Sequence, residues 1–237
     1  MIIFGKQPVL YAIAHAAEAI ETIFIAKELD KKLFAQLRSA KKPIERLDFK
    51  KAQAMARGAN HQGVLARIAD LGFADLPSAL KSAQNSGSAL FVALCGVTDV
   101  GNIGAITRTA FALGAAGLVI SGVKSANLEA LTRSSAGAAL SLPIFLEPNV
   151  LDLIERFKQA GFAVFGADSK GENSQNFGGF SGFGAKRLLL LGAEDEGLAD
   201  RVLKKCDQKI AIKMSGFDSL NVSAAAAILI DRLREGI

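Results

Sequence analysis

The 237-residue sequence has no tryptophan, one tyrosine, two cysteines, two histidines and five prolines. Cys95 and Cys206 lie far apart without a CxxC spacing, which excludes a disulfide framework. With only His15 and His61 beside them, a zinc site is excluded as well. Neither histidine falls in a hydrolase-like motif with a serine or cysteine, so no nucleophilic triad is supported. Apolar runs such as residues 188–191 and 222–230 are shorter than the roughly 20 residues of a membrane-spanning helix. Met1 to Lys6 shows neither a basic leader nor a small-residue cleavage site. The expectation is a cytoplasmic protein with no metal and no membrane partner.

What is present is hydrophobic residue in abundance, 50% of the chain, which suffices for a core in one or two domains. The net charge is +5, and residues 1–70 hold 12 Lys and Arg against 7 Asp and Glu, so the excess lies in that segment. A polyanion would meet that end first, although an ordinary solvated basic surface has the same composition.

Helical spacing of Val9, Leu10, Ile13, Ala17 and Ile20 predicts a helix over 7–20. A strand over 22–26, a basic amphipathic helix over 29–40, a strand over 43–47, a helix over 48–56 capped by Asp48, and a strand over 63–68 follow. Residues 1–70 therefore form a small α/β domain. Its polar turn from Arg57 to Gly63 is either a connecting loop or an RNA-contacting loop with Arg57, Asn60 and His61 as donors. Residues 71–88, with Pro77 and the Asn85-Ser86-Gly87-Ser88 run, read as a linker. From 89 to 237, buried-looking strands alternate with helices, which implies a parallel sheet covered on both faces and ligands at the carboxyl ends of its strands. Residues 170–186, rich in Gly, Ser, Asn and Phe, read as a surface loop.

Three stretches carry chemistry. In the first, Gly96 and Gly101 have Walker-loop spacing, but Asn102-Ile103 stands where Lys and Ser or Thr are needed, and GxGxxG is absent. What remains is Asn102 near a helix start and Arg108 about one and a half turns further on, as a buried ion-pair partner or a site residue. In the second, Gly192-Ala193-Glu194-Asp195-Glu196-Gly197 follows a strand. Its acids suit a divalent cation, while its glycines suit a backbone that approaches a ligand closely, the stronger option. In the third, a strand over 208–212 enters a Gly-bearing turn and a long helix whose first residues are Ser219 and Asn221, with Ser219 an N-cap or a ligand group.

Taken together, Asn102 to Arg108, Gly192 to Leu198 and Met214 to Asn221 resemble the three signature motifs of the SpoU (TrmH) family of RNA ribose 2′-O-methyltransferases. Ile3 to Leu10 and His61 to Val64 resemble the amino-terminal substrate-binding domain of its RlmB-type members, which act on a guanosine of 23S ribosomal RNA, and Ser135-Ala136-Gly137-Ala138 also fits the family pattern. The resemblance implies a trefoil-knotted α/β methyltransferase domain over 89–237, S-adenosylmethionine bound in the knot, RNA as substrate and a homodimer sharing its active sites. By motif it makes Asn102, Arg108, Glu194, Ser219 and Asn221 catalytic, and lines the cofactor pocket with Gly192, Ala193, Gly197, Ile212, Met214 and Leu220. A tRNA ribose methyltransferase, an adenosine-directed resistance methyltransferase and a non-catalytic RNA-binding assembly factor are the other functions weighed. Lys213 replaces a usual proline, and Asp195 stands where a small residue is common.

Overall fold

The computed structural model describes residues 1–70, 72–173, 183–216 and 219–234. Most of the Gly/Phe-rich stretch expected as a surface loop, and Phe217-Asp218 of the third motif, lie outside the described residues. The chain divides into two compact units, one of Met1–Gly72 with Asn127–Ser141, the other of Phe73–Ala126 with Leu142–Ile237.

The first unit is built on a sheet of order β1-β4-β2-β3, formed by β1 (Ile2–Phe4), β2 (Ile20–Ile25), β3 (Ile44–Arg46) and β4 (Val64–Ile68). Its helices are α1 (Lys6–His15), α2 (Lys31–Ser39) and α3 (Phe49–Met55). The apolar spacing expected to run on to Ile20 is cut at His15. A short 3-10 turn, Ala17–Ala19, follows, and Ile20 already pairs with Ile68 in the sheet. Asp48 caps α3 as expected, its carboxylate accepting from the Lys51 N–H at 2.8 Å. Ile3, Val9, Ile23, Leu37, Val64 and Ile68 fill the core.

Residues 127–141 were expected within the second domain, yet α6 (Leu128–Ser134) and the following turn belong to the first unit. Arg133 lies over the Phe4 ring at 4.6 Å, and the Tyr11 hydroxyl donates to Ser141 Oγ at 2.8 Å. Gly137, at φ 95°, lies so close to the Tyr11 ring that a Cβ there would sit 2.7 Å from Cδ1. The glycine of the Ser135–Ala138 pattern thus has a packing reason.

The second unit is a parallel sheet of order β10-β8-β9-β5-β6-β7. Its strands are β5 (Ala89–Cys95), β6 (Gly117–Ser121), β7 (Ile144–Glu147), β8 (Ala163–Asn173), β9 (Lys186–Gly192) and β10 (Gln208–Ala211). All of β5 and β6 is buried, as central parallel strands covered on both faces require. One face packs on α4 (Leu76–Gln84), α7 (Val150–Gln159) and α8 (Asp200–Leu203); α5 (Val100–Ala112) and α9 (Val222–Arg234) pack on each other, α9 against β9 and α5 against β6. The connection from β9 to β10 carries the chain beyond β8 to the sheet edge, an order that fits the knotted connectivity the resemblance implies.

The stretch expected as a linker departs from that reading. Residues 73–88 belong to the second unit, where Leu76, Leu80 and Ala83 of α4 are buried in the core, with Asp75 as N-cap. Pro77 sits in the first helical turn, where its missing N–H costs nothing.

Arg187, at the start of β9, is buried, and its guanidinium donates to the carbonyls of Gly184 at 3.0 Å and Leu233 at 2.5 Å. Burial holds its pKa below the ordinary guanidinium value. It supplies a cation to the last turn of α9, where carbonyls lack helical partners. Replacing Arg187 by leucine is expected to lower the unfolding free energy by about 3 kcal/mol, measured by urea denaturation. An unchanged midpoint would remove Arg187 from the supports of the fold.

Burial also pushes the Cys95 thiol up to about 12 and that of Cys206 up to about 11, from 9.0. Folding therefore favours the neutral thiols, so their contribution is complete below pH 9 and is lost as the pH climbs through 11 and 12. The urea midpoint should fall above pH 9 more steeply than in a Cys95→Ala, Cys206→Ala protein.

Candidate active site

Three distant segments meet through one carboxylate. Glu194 lies just past β9 in the turn from Gly192 to Gly197. Its Oε1 accepts from Asn102 Nδ2 at 2.9 Å, from Asn221 Nδ2 at 2.5 Å and from the Val222 N–H at 3.4 Å. Asn221 Nδ2 also donates to Asn102 Oδ1 at 3.1 Å. Residues 102, 194 and 221 belong to the three motifs taken separately from the sequence.

Each is placed by its own local chemistry. Asp99 caps α5, accepting from the Asn102 N–H at 2.7 Å, so Asn102 sits in the first turn with its side chain aimed past the end of β5. Asp99 was not singled out from the sequence, although an Asp three residues before Asn102 has cap spacing. The third motif differs from expectation. The helix begins at Val222, and Asn221 is the capping residue, its Oδ1 accepting from the Ser223 N–H at 2.9 Å and from the Ser223 hydroxyl. Ser219 lies outside the helix, exposed, with no hydrogen bond to the described residues, and so is not the cap.

The Gly192–Gly197 turn closes on itself, the Gly197 N–H donating to the Ala193 carbonyl at 2.8 Å. A Cβ on Gly192 would sit 2.1 Å from the Gly197 carbonyl carbon, so no other residue fits there. Gly197 has φ 64°. On the far side of this turn, at the point where the strand order reverses between β5 and β9, is a cavity of about 710 Å³ lined in part by Cys95, Gly96, Gly122, Asn149, Ala193 and Gly197. Of the residues expected to line the cofactor pocket, only Ala193 and Gly197 border this cavity. Ile212 and Met214 are half-buried just beyond β10, and Leu220 is 40% exposed.

Those three residues lie on the segment that follows β10, away from the lining of this cavity. β8 runs between β9 and β10, and its partner on β10 jumps from Gly166 opposite Lys209 to Glu172 opposite Ile210. Residues 167–171 therefore bulge out at the carboxyl end of the sheet, between the Gly192–Gly197 turn and the segment after β10. This excursion of β8 carried no motif and was missed from the sequence.

Arg108 is exposed on α5 and has no ion-pair or hydrogen-bond partner among the described residues, so the buried ion-pair option fails. It lies six positions beyond Asn102, which on an α-helix is about 9 Å along the axis and about 120° around it. In one chain the guanidinium and the asparagine cluster thus point to different sides of α5.

Glu194, Asp195 and Glu196 make no ion pairs with the described residues, and no group of three or more possible metal ligands occurs among them. An acidic turn without ion pairs to the described residues, flanked by close-approach glycines, suits a cationic organic ligand. An α/β enzyme is defined by these features, with a polar cluster and a glycine-walled crevice at the carboxyl ends of a parallel sheet.

Comparison with known proteins gives the class its name. Residues 89–231 match the model of the SpoU rRNA Methylase family, and residues 2–74 match the model described as RNA 2′-O ribose methyltransferase substrate binding. The chain belongs to the SpoU methylase family and is an RNA methyltransferase by that membership. An uncharacterized tRNA/rRNA methyltransferase of Mycobacterium avium (strain 104) is 30% identical across 99% of this chain and 78% of its own length. The SpoU methyltransferase AviRb of Streptomyces viridochromogenes, solved in complex with AdoMet, superposes with a TM-score of 0.76 at 26% identity, over 99% of this chain and 89% of that one. An RNA 2′-O ribose methyltransferase superposes with a TM-score of 0.80 at 21% identity, over 99% of this chain and 88% of that one, a likeness of fold.

Replacing Glu194 by alanine removes the common acceptor of two asparagines and a backbone N–H. In this solvent-exposed setting the loss of stability is expected to be only about 1 kcal/mol, while methyltransferase activity is abolished. Thermal unfolding and turnover measured on the same preparation check both halves. A variant that keeps its activity would separate the cluster from the chemistry.

Proposed function

We propose that this protein transfers a methyl group from S-adenosylmethionine to a ribose 2′-hydroxyl of RNA, with a guanosine of 23S ribosomal RNA as the favoured target. The observation that carries the reading is the Asn102–Glu194–Asn221 cluster, which joins three motif segments beside a turn that admits only glycine at 192. The cofactor, when bound, supplies the methyl group on a positively charged sulfur. Gly192, Ala193, Gly197, Ile212, Met214 and Leu220 would hold it at the carboxyl ends of β9 and β10.

The ribose O–H bond breaks, an O–C bond forms, and the S–C bond breaks with its electron pair left on sulfur. Arg108 faces the attacking oxygen and stabilises the negative charge that develops there. A guanidinium, whose ordinary pKa lies above about 12, is not a proton acceptor, so the proton passes to phosphate or water. Asn102, Glu194 and Asn221 hold the geometry of the site, with Ser219 two residues before Asn221 on the same segment. Because Arg108 and Asn102 point to different sides of α5, a complete site takes Arg108 from one copy and the cluster from another, which supports a homodimer.

The test is methylation of 23S rRNA fragments against bulk tRNA, with mapping of 2′-O-methyl positions. Methylated tRNA with unmethylated 23S fragments would make the protein a tRNA enzyme of the same family, and no methylation of either would leave the assembly-factor reading. Arg108→Ala should lower turnover by about 100-fold or more with cofactor affinity unchanged. Co-expressing Arg108→Ala with Asn221→Ala subunits should restore activity that neither has alone, because one of the two shared sites then carries no substitution. Absence of rescue would count against the shared site.

A further inference from the structure

Among the described residues the most exposed large hydrophobic side chain is Phe49, at 66%. Its position gives it no packing duty. Asp48 is the N-cap of α3, and the apolar pair that brackets such a start is Leu47 and Ala52, both in the small core cluster with Phe4 and Phe24. Phe49, the first helical residue, is outside that cluster. A phenylalanine held in water costs solvation free energy and offers a flat apolar face.

What it rests against is His61, ring centroids 5.6 Å apart and planes tilted by 49°. His61 is only 4% exposed, so the pair presents Phe49 outward on a fixed backing. The His61 Nδ1 accepts from the Gly63 N–H at 3.1 Å, which places the proton of the neutral ring on Nε2. That Nε2–H has no protein partner among the described residues, yet no fully buried side-chain nitrogen or oxygen is left without one, so it reaches solvent beside the Phe49 ring. An unspent donor at the edge of an exposed aromatic is an arrangement for a ligand with both a π-face and polar edges.

The surroundings state the charge of that ligand. From Lys41 to Gly63 the chain carries six Lys and Arg against Glu45 and Asp48. Lys50 is exposed in the first turn of α3, and Arg57 is exposed just beyond its end, facing Glu129 only at 3.9 Å. Lys27 runs across the backbone of Gly63, where a Cβ would sit 2.3 Å from its Cγ.

We propose that Phe49, backed by His61, is the stacking platform for one unpaired base of the RNA substrate, with Lys50 and Arg57 on the flanking phosphates and the His61 Nε2–H on a base edge. This deepens, and rests on, the RNA-methyltransferase reading. Bases in a duplex are already stacked on their neighbours and leave no face for the ring, so the platform selects single-stranded or looped-out nucleotides. Arg57 and His61 thereby gain distinct roles, while Asn60 does not contact RNA through its amide oxygen, which accepts from the Gln62 N–H at 3.0 Å.

The experiment measures binding of the full-length protein to a fluorescein-labelled oligoadenylate and to a blunt RNA duplex of equal length. Phe49→Ala should weaken the single strand by about tenfold or more and leave the duplex unchanged. Phe49→Trp should restore single-strand affinity. The slope of affinity against salt should be the same in all three proteins, since no charge is altered, whereas Lys50→Gln should reduce it. Equal weakening of both RNAs, no weakening of either, or a change of oligomeric state on Phe49→Ala in sedimentation would overturn the platform, the last pointing to a protein interface. Failure of wild-type protein to bind either RNA would sink the functional reading with it. Normal wild-type methylation together with an indifferent Phe49→Ala would sink only the platform.

Discussion

A single carboxylate oxygen organises the catalytic half of this molecule. Glu194 Oε1 receives two side-chain amides and approaches a helix-terminal N–H, so the beginning of α5, the end of β9 and the beginning of α9 share one acceptor. A carboxylate only accepts, so both asparagines must turn their Nδ2 groups toward it, which leaves their oxygens directed elsewhere. Asn102 Oδ1 takes the second hydrogen of Asn221, and Asn221 Oδ1 closes the first turn of α9 on Ser223. Each bond is modest in an exposed position, but every orientation follows from the one before it. That is preorganisation by elimination of alternatives rather than by strength.

The cluster stays in register because its supports are stiff. β9 is buried from Arg187 to Leu191 between β5 and β8, and it stops at Gly192, where the backbone of Gly197 comes too close for any side chain. The Gly192–Gly197 turn is thus a tight closed loop on a rigid strand. At the opposite end of the same strand Arg187 reaches the last turn of α9, so β9 positions that helix at both ends, through Glu194 at its start and Arg187 at its finish.

The alternation of strands and helices over 89–237 was legible because central parallel strands are apolar without interruption, and the wholly buried β5 and β6 are of that kind. Turn chemistry was legible where a cap has one strong candidate, as at Asp48. It misled where two candidates stood close together, since Ser219 and Asn221 are both good caps and only the geometry of Glu194 chooses Asn221. Composition misled at 71–88. Small and polar residues read as a linker, but Leu76, Leu80 and Ala83 share one helical face and bury it. The excursion of β8 over 167–171 has no periodic signature, because it shows only against the unbroken run of β10, a strand distant in sequence. Nor does any local pattern reveal that residues 127–141 pack with the first unit, because that depends on Tyr11 and Phe4 at the other end of the chain.

The distribution of charge follows the same division of labour. The basic excess lies in residues 1–70, where phosphates are to be met, while Glu194, Asp195 and Glu196 crowd one turn of the other unit without ion pairs to the described residues. Such a turn repels RNA phosphate and attracts a sulfonium, each interaction being worth about 1 kcal/mol at roughly 4 Å in water and more where solvent is thinned. Under the proposed reaction the sulfonium becomes a neutral thioether when the methyl group leaves. An acidic turn near such a cofactor would therefore favour the charged form over the spent one.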